Sequence, residues 1–198
     1  YRTHSRAAWL AVAVSGFIFL NIHFRSIRKK LIIASSIIVA CLFITIVCFR
    51  NTTFVQKTVF HVDPLETSQV NSDNVRLDSL ESAFSDISDK PFGHGVGSSG
   101  IASFQDNRPY VTENYILEVT YQLGIVGGLL LIAIYFVVLK MLLRNVSDPM
   151  VVVLLCSFIG LTIISMLWPV WSDETIAYTW WGLAGAVLGK LSNSQLKL

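Results

Sequence analysis

Most apolar residues in this chain fall into long runs, without the one-sided stripe that marks a water-exposed helix. Residues 7–24, 31–49, 123–139 and 150–168 each form a run of 17 to 19 residues without Asp, Glu, Lys or Arg. About 20 helical residues cross the hydrocarbon of a bilayer, whereas a helix facing water shows charge on every turn. The pattern therefore predicts transmembrane helices. A fifth run, 176–188, is short by itself. It reaches bilayer length only if Trp180 and Trp181 belong to the aromatic belt of a tilted or broken helix.

Between the second and third runs lies a polar stretch of 66 residues, 50–115. Within it Leu77, Leu80, Phe84 and Ile87 recur at three- and four-residue steps, with Ser72 or Asp73 placed as N-cap and Pro91 as the stop. That spacing predicts an amphipathic helix of about 15 residues, lying along the membrane surface or covering the bundle. Residues 93–100 follow, with glycine at 93, 95, 97 and 100 and His94 among them. Such a segment is ordered only if something holds it, and its N–H groups can approach an anion closely. No Gly-Lys-Ser/Thr follows, so the nucleotide signal is weak. Residues 115–122 then mix Glu118, Thr120 and Gln122 with apolar side chains ahead of Gly124, Gly127 and Gly128. This predicts a short interfacial helix, a kink at the glycines, and a span beyond them.

Charge placement orients the spans. Arg25, Arg28, Lys29 and Lys30, then Lys140 and Arg144, then Lys190 and Lys197 occupy three connections, and only Asp148 opposes them. By the positive-inside rule these are cytoplasmic, which puts 50–115 and 169–175 on the outer side. Composition agrees, with 53% hydrophobic and 14% charged residues and a mean hydropathy of +0.59, against about 25% charged in soluble domains. The expectation is an all-α polytopic membrane bundle of about five spans. Residues 1–198 would form one membrane domain, the C-terminal part of a longer protein, with the 50–115 loop inserted. Cys41, Cys48 and Cys156 lie inside apolar runs and read as small hydrophobes. The outer stretch holds nine acids and five bases, so it offers no basic field for nucleic acid. Any phosphate site must be local, built from Arg6, Arg76 or Arg108.

Three pieces of sequence carry a resemblance. Thr3-His4-Ser5-Arg6 opens a span; Arg76 heads a helix leading to Lys90-Pro91-Phe92-Gly93-His94-Gly95-Val96-Gly97; and Thr112-Glu113-Asn114-Tyr115-Ile116-Leu117 leads to Leu123-Gly124-Ile125-Val126-Gly127. In order and spacing this resembles the C-terminal half of the O-antigen ligase and O-antigen polymerase (Wzy-type) family, over about residues 3 to 140. The resemblance implies a multi-pass glycosyltransferase with a GT-C-like fold in the bacterial cytoplasmic membrane. Its donor would be an undecaprenyl-diphosphate-linked glycan used on the outer face, with neither nucleotide nor essential metal. Membrane lipid is an implied partner, and a chain-length regulator protein another.

On that resemblance Arg6 and Arg76 bind the diphosphate, since guanidinium groups chelate phosphate oxygens bidentately. Glu113 takes the acceptor's proton and Asn114 positions it; His94, Arg108 and Tyr115 are substrate contacts. Ligases of the family often carry His-Asn or His-Ser where this chain has Glu113-Asn114. The acid suits the polymerase-like members, so polymerisation of lipid-linked repeats is the favoured reading and ligation to lipid A core or another acceptor the second. Structural readings compete at each position. Arg76 can pair with Asp73 or Asp78, Arg6 can anchor a span at the headgroups, Glu113 can be a solvated acid or cap, and Glu118 is the alternative carboxylate. Tyr110, Tyr115, Trp171 and Tyr178 can stack on sugars or line an interface belt. A transporter domain is the different-class alternative. It calls for ionisable groups deep in several spans, which only His23 and Glu118 approach.

Overall fold

The computed structural model describes residues 6–49, 52, 72–100, 103–104, 110 and 112–195. Those residues are helical throughout their regular structure. They form α1 (Arg6–His23), α2 (Arg28–Cys48), α3 (Ser72–Asp89), α4 (Tyr115–Arg144), α5 (Pro149–Ser165) and α6 (Glu174–Gln195), with single 3-10 turns at Arg25–Ile27 and Val170–Ser172. Local chemistry sets the boundaries. Asn114 caps α4, accepting from the N–H groups of Ile116 and Leu117, and Arg144 closes it at the negative end of the helix dipole. Asp148 Oδ1 accepts from Met150 N at 2.8 Å, with Pro149 at the first helical position of α5. Asp173 does the same for α6 through Thr175 N at 2.9 Å.

α5 is apolar on all sides and its inner face is covered: Val151, Leu154, Leu155 and Phe158 are buried, while Val153 faces outward. α1 packs along one side, and α4 and α6 along the others. The α1–α5 approach is close because the facing residues are small, and a Cβ at Gly160 would sit 2.7 Å from Ser15 Oγ. Ile22 packs on the core to which Val151, Leu155 and Phe158 of α5 belong. Trp171, Trp180, Phe158 and Tyr135 form the aromatic centre of that core, with Phe158 and Trp180 centroids 5.0 Å apart. Trp180 Nε1 donates to Ser157 Oγ at 2.9 Å, fixing the register of α6 on α5.

Three expectations need correction. Trp180 is 5% exposed and Trp171 4%, so neither belongs to an interface belt or can stack on a sugar. α6 is one unbroken helix of 22 residues, which makes the fifth run longer than its apolar letters suggest. On α3 the buried stripe is Ala83 and Ile87, while Phe84 is 60% exposed. Three-residue spacing from Leu80 leads to Ala83, and small alanine carried no weight in the apolar pattern.

α4 holds 30 residues and is the described helix long and apolar enough to cross a membrane; Ala7–His23 and Pro149–Ser165 are shorter apolar helices. The expected kink is at Gly124, whose φ of 76° and ψ of 179° interrupt the helix. The charge-free apolar stretch, 123–139, begins there. Lys140, Arg144 and Asp148 lie at one end of the bundle, around the α4–α5 turn. Glu113, Asn114 and the α5–α6 connection lie at the other.

Candidate functional site

Four segments meet at the acid-bearing end of the bundle: α3, the glycine-rich loop after it, the first turns of α4, and the connection from α5 to α6. Asn114 fixes their geometry by working in two directions. Its Oδ1 accepts from Ile116 N at 2.9 Å and Leu117 N at 3.2 Å, while its Nδ2 donates toward Met166 O at 3.4 Å. The side chain thus starts α4 and ties that start to the end of α5. Glu113, immediately before it, is half-buried.

Glu113 and Asn114 line a small cavity of about 30 Å³ together with Thr112, Leu117, Met166 and Ser79, Leu80 and Ala83 of α3. That volume has room for a water molecule and no more. Thr112 Oγ1 is buried there without a hydrogen-bond partner. Position 76 lies four residues before Leu80 and seven before Ala83, one and two turns earlier on the helix face that reaches this cavity. Position 6 lies nine residues before Ser15, roughly 13 Å along the axis. Ser15 itself is level with Gly160 of α5. The side chains of Arg6 and Arg76, and the whole of Arg108, lie outside the described residues.

The glycine loop has a different task from the one its composition suggested. At the Gly124 break α4 loses its regular ladder, and the loop takes over the freed groups. His94 N donates to Tyr121 O at 2.9 Å, Gly95 N to Gln122 O at 3.0 Å, and Ile125 N to Pro91 O at 2.9 Å. Gly97 N donates to Gln122 Oε1 at 2.9 Å and Gly100 N to Tyr110 O at 2.9 Å. These N–H groups are spent on docking, so they do not form an anion cradle. Close approach requires glycine on both sides. A Cβ on Gly93 would lie 2.5 Å from Gln122 O, and one on Gly124 2.5 Å from Pro91 O. Four of these loop glycines have positive φ, between 75° and 101°.

His94 is held as well. Its ring stacks on Tyr121 at 4.0 Å and 3°, and Tyr110 stacks on Tyr121 at 4.3 Å and 13°. The Tyr110 hydroxyl is buried; burial first, and the hydrogen bond and charge of the nearby Asp86 carboxylate second, push its phenol well above the ordinary tyrosine value. Tyr115 is half-buried and packs on the aromatic core, which leaves its ring faces partly covered.

The carboxylate that the structure buries is Glu118, 5% exposed. Ser172 Oγ donates to its Oε2 at 3.1 Å, and Gln122 Nε2 approaches Oε1 at 3.5 Å. A Cβ on Gly100 would stand 2.5 Å from Oε1. Glu118 therefore joins three segments: the glycine loop, α4 and the α5–α6 connection. A buried carboxyl is tolerated when its oxygens are hydrogen-bonded. The sequence contained Glu118 as an alternative to Glu113. It contained no signal that Ser172, 54 residues on, would meet it.

A family model described as O-antigen ligase matches residues 1–132, two thirds of the 198-residue chain. The chain belongs to the O-antigen ligase family. That membership, expected from the motifs, covers Arg6, Arg76, His94, Glu113 and Asn114 and extends past the Gly124 break into the apolar stretch of α4. It places the protein in a membrane family of surface-polysaccharide and lipopolysaccharide biosynthesis, with glycosyltransferase-like activity of the ligase and polymerase type. No curated protein and no solved structure matches the chain.

Proposed function

We propose that this member of the O-antigen ligase family is a multi-pass glycosyltransferase of the bacterial cytoplasmic membrane. On its outer face it polymerises undecaprenyl-diphosphate-linked repeats of an O-antigen, capsule or exopolysaccharide. The observation that carries the proposal is the shared cavity at the acid-bearing end. Glu113 and Asn114 reach the α3 face on which position 76 lies.

In the proposed reaction an acceptor-sugar hydroxyl attacks the anomeric carbon of the lipid-linked donor. A new C–O bond forms, the bond to the diphosphate breaks, and its electron pair leaves with undecaprenyl diphosphate. Glu113 accepts the hydroxyl proton. Arg6 and Arg76 stabilise the charge growing on the diphosphate oxygens, an effect strongest in the transition state. Asn114 sets the position of Glu113 by capping α4 against Met166, and His94, Arg108 and Tyr115 border the sugar. The bundle with its charges sorted to opposite ends supports a multi-pass arrangement. Partners in this reading are the lipid-linked glycan, the surrounding membrane lipid and a chain-length regulator protein.

Ligation to lipid A core or another acceptor is the second reading, favoured by the description of the matching family model. Complementation of a strain lacking the enzyme tests both. Glu113→Gln and Arg76→Ala should each reduce polymer at least about a hundredfold, the range expected for loss of a proton acceptor or a transition-state charge partner. Single repeats left on the final acceptor indicate polymerisation; complete absence of glycan indicates ligation. Full-length polymer from both variants would overturn the assigned chemistry.

A further inference from the structure

The loop between α3 and α4 carries the two most exposed large apolar side chains among the described residues, Phe92 at 92% and Val96 at 85%. Exposure of that degree on a floppy loop would mean little. Here the backbone on either side is pinned: Pro91 O accepts from Ile125 N, His94 N and Gly95 N donate to Tyr121 and Gln122, and Phe92 Cα lies against Gly124. The loop tip is therefore held level with the start of the apolar stretch of α4. Leu123, Ile125 and Val126 are exposed at the same level, and further along α4 Leu129 and Leu130 are too. Lys90, the cation just before the turn, is exposed as well.

We propose that Phe92 and Val96 are a membrane anchor, seated in the outer leaflet beside α4, with Lys90 at the anionic headgroups. The occupant of this face is lipid because Phe92 is seated against Gly124, where the exposed apolar stretch 123–139 begins. An aromatic side chain followed by a branched aliphatic one, next to a lysine, matches the chemistry of the boundary between acyl chains and headgroups. The consequence concerns the site. Seating this loop holds the Glu113 turn at headgroup depth, where the diphosphate of a lipid-carried substrate lies, so that the donor reacts without leaving the bilayer. The inference rests on reading 123–139 as a span and on the proposed lipid-linked donor.

Site-directed nitroxide labelling of the full protein in vesicles of phosphatidylethanolamine and phosphatidylglycerol tests it. Cys41 and Cys48, which are exposed, are replaced by Ala, and buried Cys156 is left in place. Single labels go on Phe92→Cys and Val96→Cys, with Leu130→Cys as the span reference and Ser85→Cys as the aqueous one. At 92 and 96 the collision ratio of oxygen to a water-soluble nickel chelate should exceed that at Ser85 several-fold and approach that at Leu130. A ratio equal to that at Ser85, with Leu130 still oxygen-accessible, overturns the anchor and leaves the span intact. Protection from both reagents at 92 and 96 also overturns it, because protein then covers the loop. A Leu130 label that behaves like Ser85 overturns the span and the anchor together. Neither exposed side chain contributes to packing, and quenching of Phe92→Trp and Val96→Trp by brominated lipids, measured against the parent, distinguishes the same outcomes without cysteine removal.

Discussion

Replacing Gly124 with Ala sets two structures in competition. The glycine has φ 76° and ψ 179°, a region that only glycine occupies readily and that costs another residue about 1–3 kcal/mol. The new Cβ would also lie 2.5 Å from Pro91 O and 2.6 Å from the Phe92 carbonyl carbon. Both are backbone atoms, which move only if the loop moves. Three backbone hydrogen bonds hold the loop at the break, from His94 N, Gly95 N and Ile125 N, each contributing about 1 kcal/mol net. If α4 straightens, Ile125 N exchanges Pro91 O for a helical partner, which offsets part of what undocking costs. Strain of about 3 kcal/mol against the docked form then shifts the docked-to-open ratio roughly a hundredfold. Hydrogen exchange on protein in lipid nanodiscs reads this directly: the His94 and Gly95 amides should exchange about a hundred times faster in Gly124→Ala. Gly182→Ala is the control, since a Cβ there meets nothing within 4 Å, and it should leave the loop unchanged. Protection at 94 and 95 within about threefold of the parent would refute the claim that glycine at 124 holds the loop.

Other perturbations separate the remaining interactions. Glu118→Ala should lower stability in detergent by about 2–3 kcal/mol, because Ser172 loses its acceptor and a void opens beside Gly100, while Glu118→Gln keeps an acceptor and loses less than about half of that; equal loss in both would show that the carboxyl does not join the three segments. Asn114→Ala should cost about 1 kcal/mol through the lost α4 cap, with a matching fall in polymer output if cap and site are coupled, measured by thermal unfolding beside glycan analysis. Phe158→Ala, at the aromatic centre of the core, should cost about 3–5 kcal/mol, read as a drop in thermal midpoint. For Tyr110, whose phenol sits above the free value of about 10, the neutral form is favoured in the folded state. Its contribution is complete below about pH 10 and is lost as pH rises toward the folded value. The thermal midpoint of the parent should therefore fall relative to Tyr110→Phe only above about pH 10, and parallel curves there would refute it.

Much of this architecture is written in the chain itself. The 150–168 run produced α5, the 31–49 run α2, and the glycines after Gln122 a kink, because apolar length and backbone freedom act locally. Caps at Asn114, Asp148 and Asp173 were equally local, each a short side chain folding back on the next turn. Family membership followed from motif order. What the sequence misjudged were questions of which atoms meet. The apolar step pattern of α3 chose Phe84 and overlooked Ala83, since burial is decided by the neighbour across the groove. Trp180 read as a membrane-interface residue and proved to be core, because its indole finds Ser157 on another helix.

The sequence by itself determined where helices form and which connections carry the cations. Both follow from interactions within a few residues and from the cost of placing charge in hydrocarbon. Only the tertiary structure decided that the glycine-rich loop docks on a broken helix, and that Glu118 rather than Glu113 is the buried acid. Gly93 and Gly124 are 31 positions apart, and Glu118 and Ser172 are 54 apart. Their close approach depends on packing α3, α4 and α5 together, and no local pattern encodes such a distance.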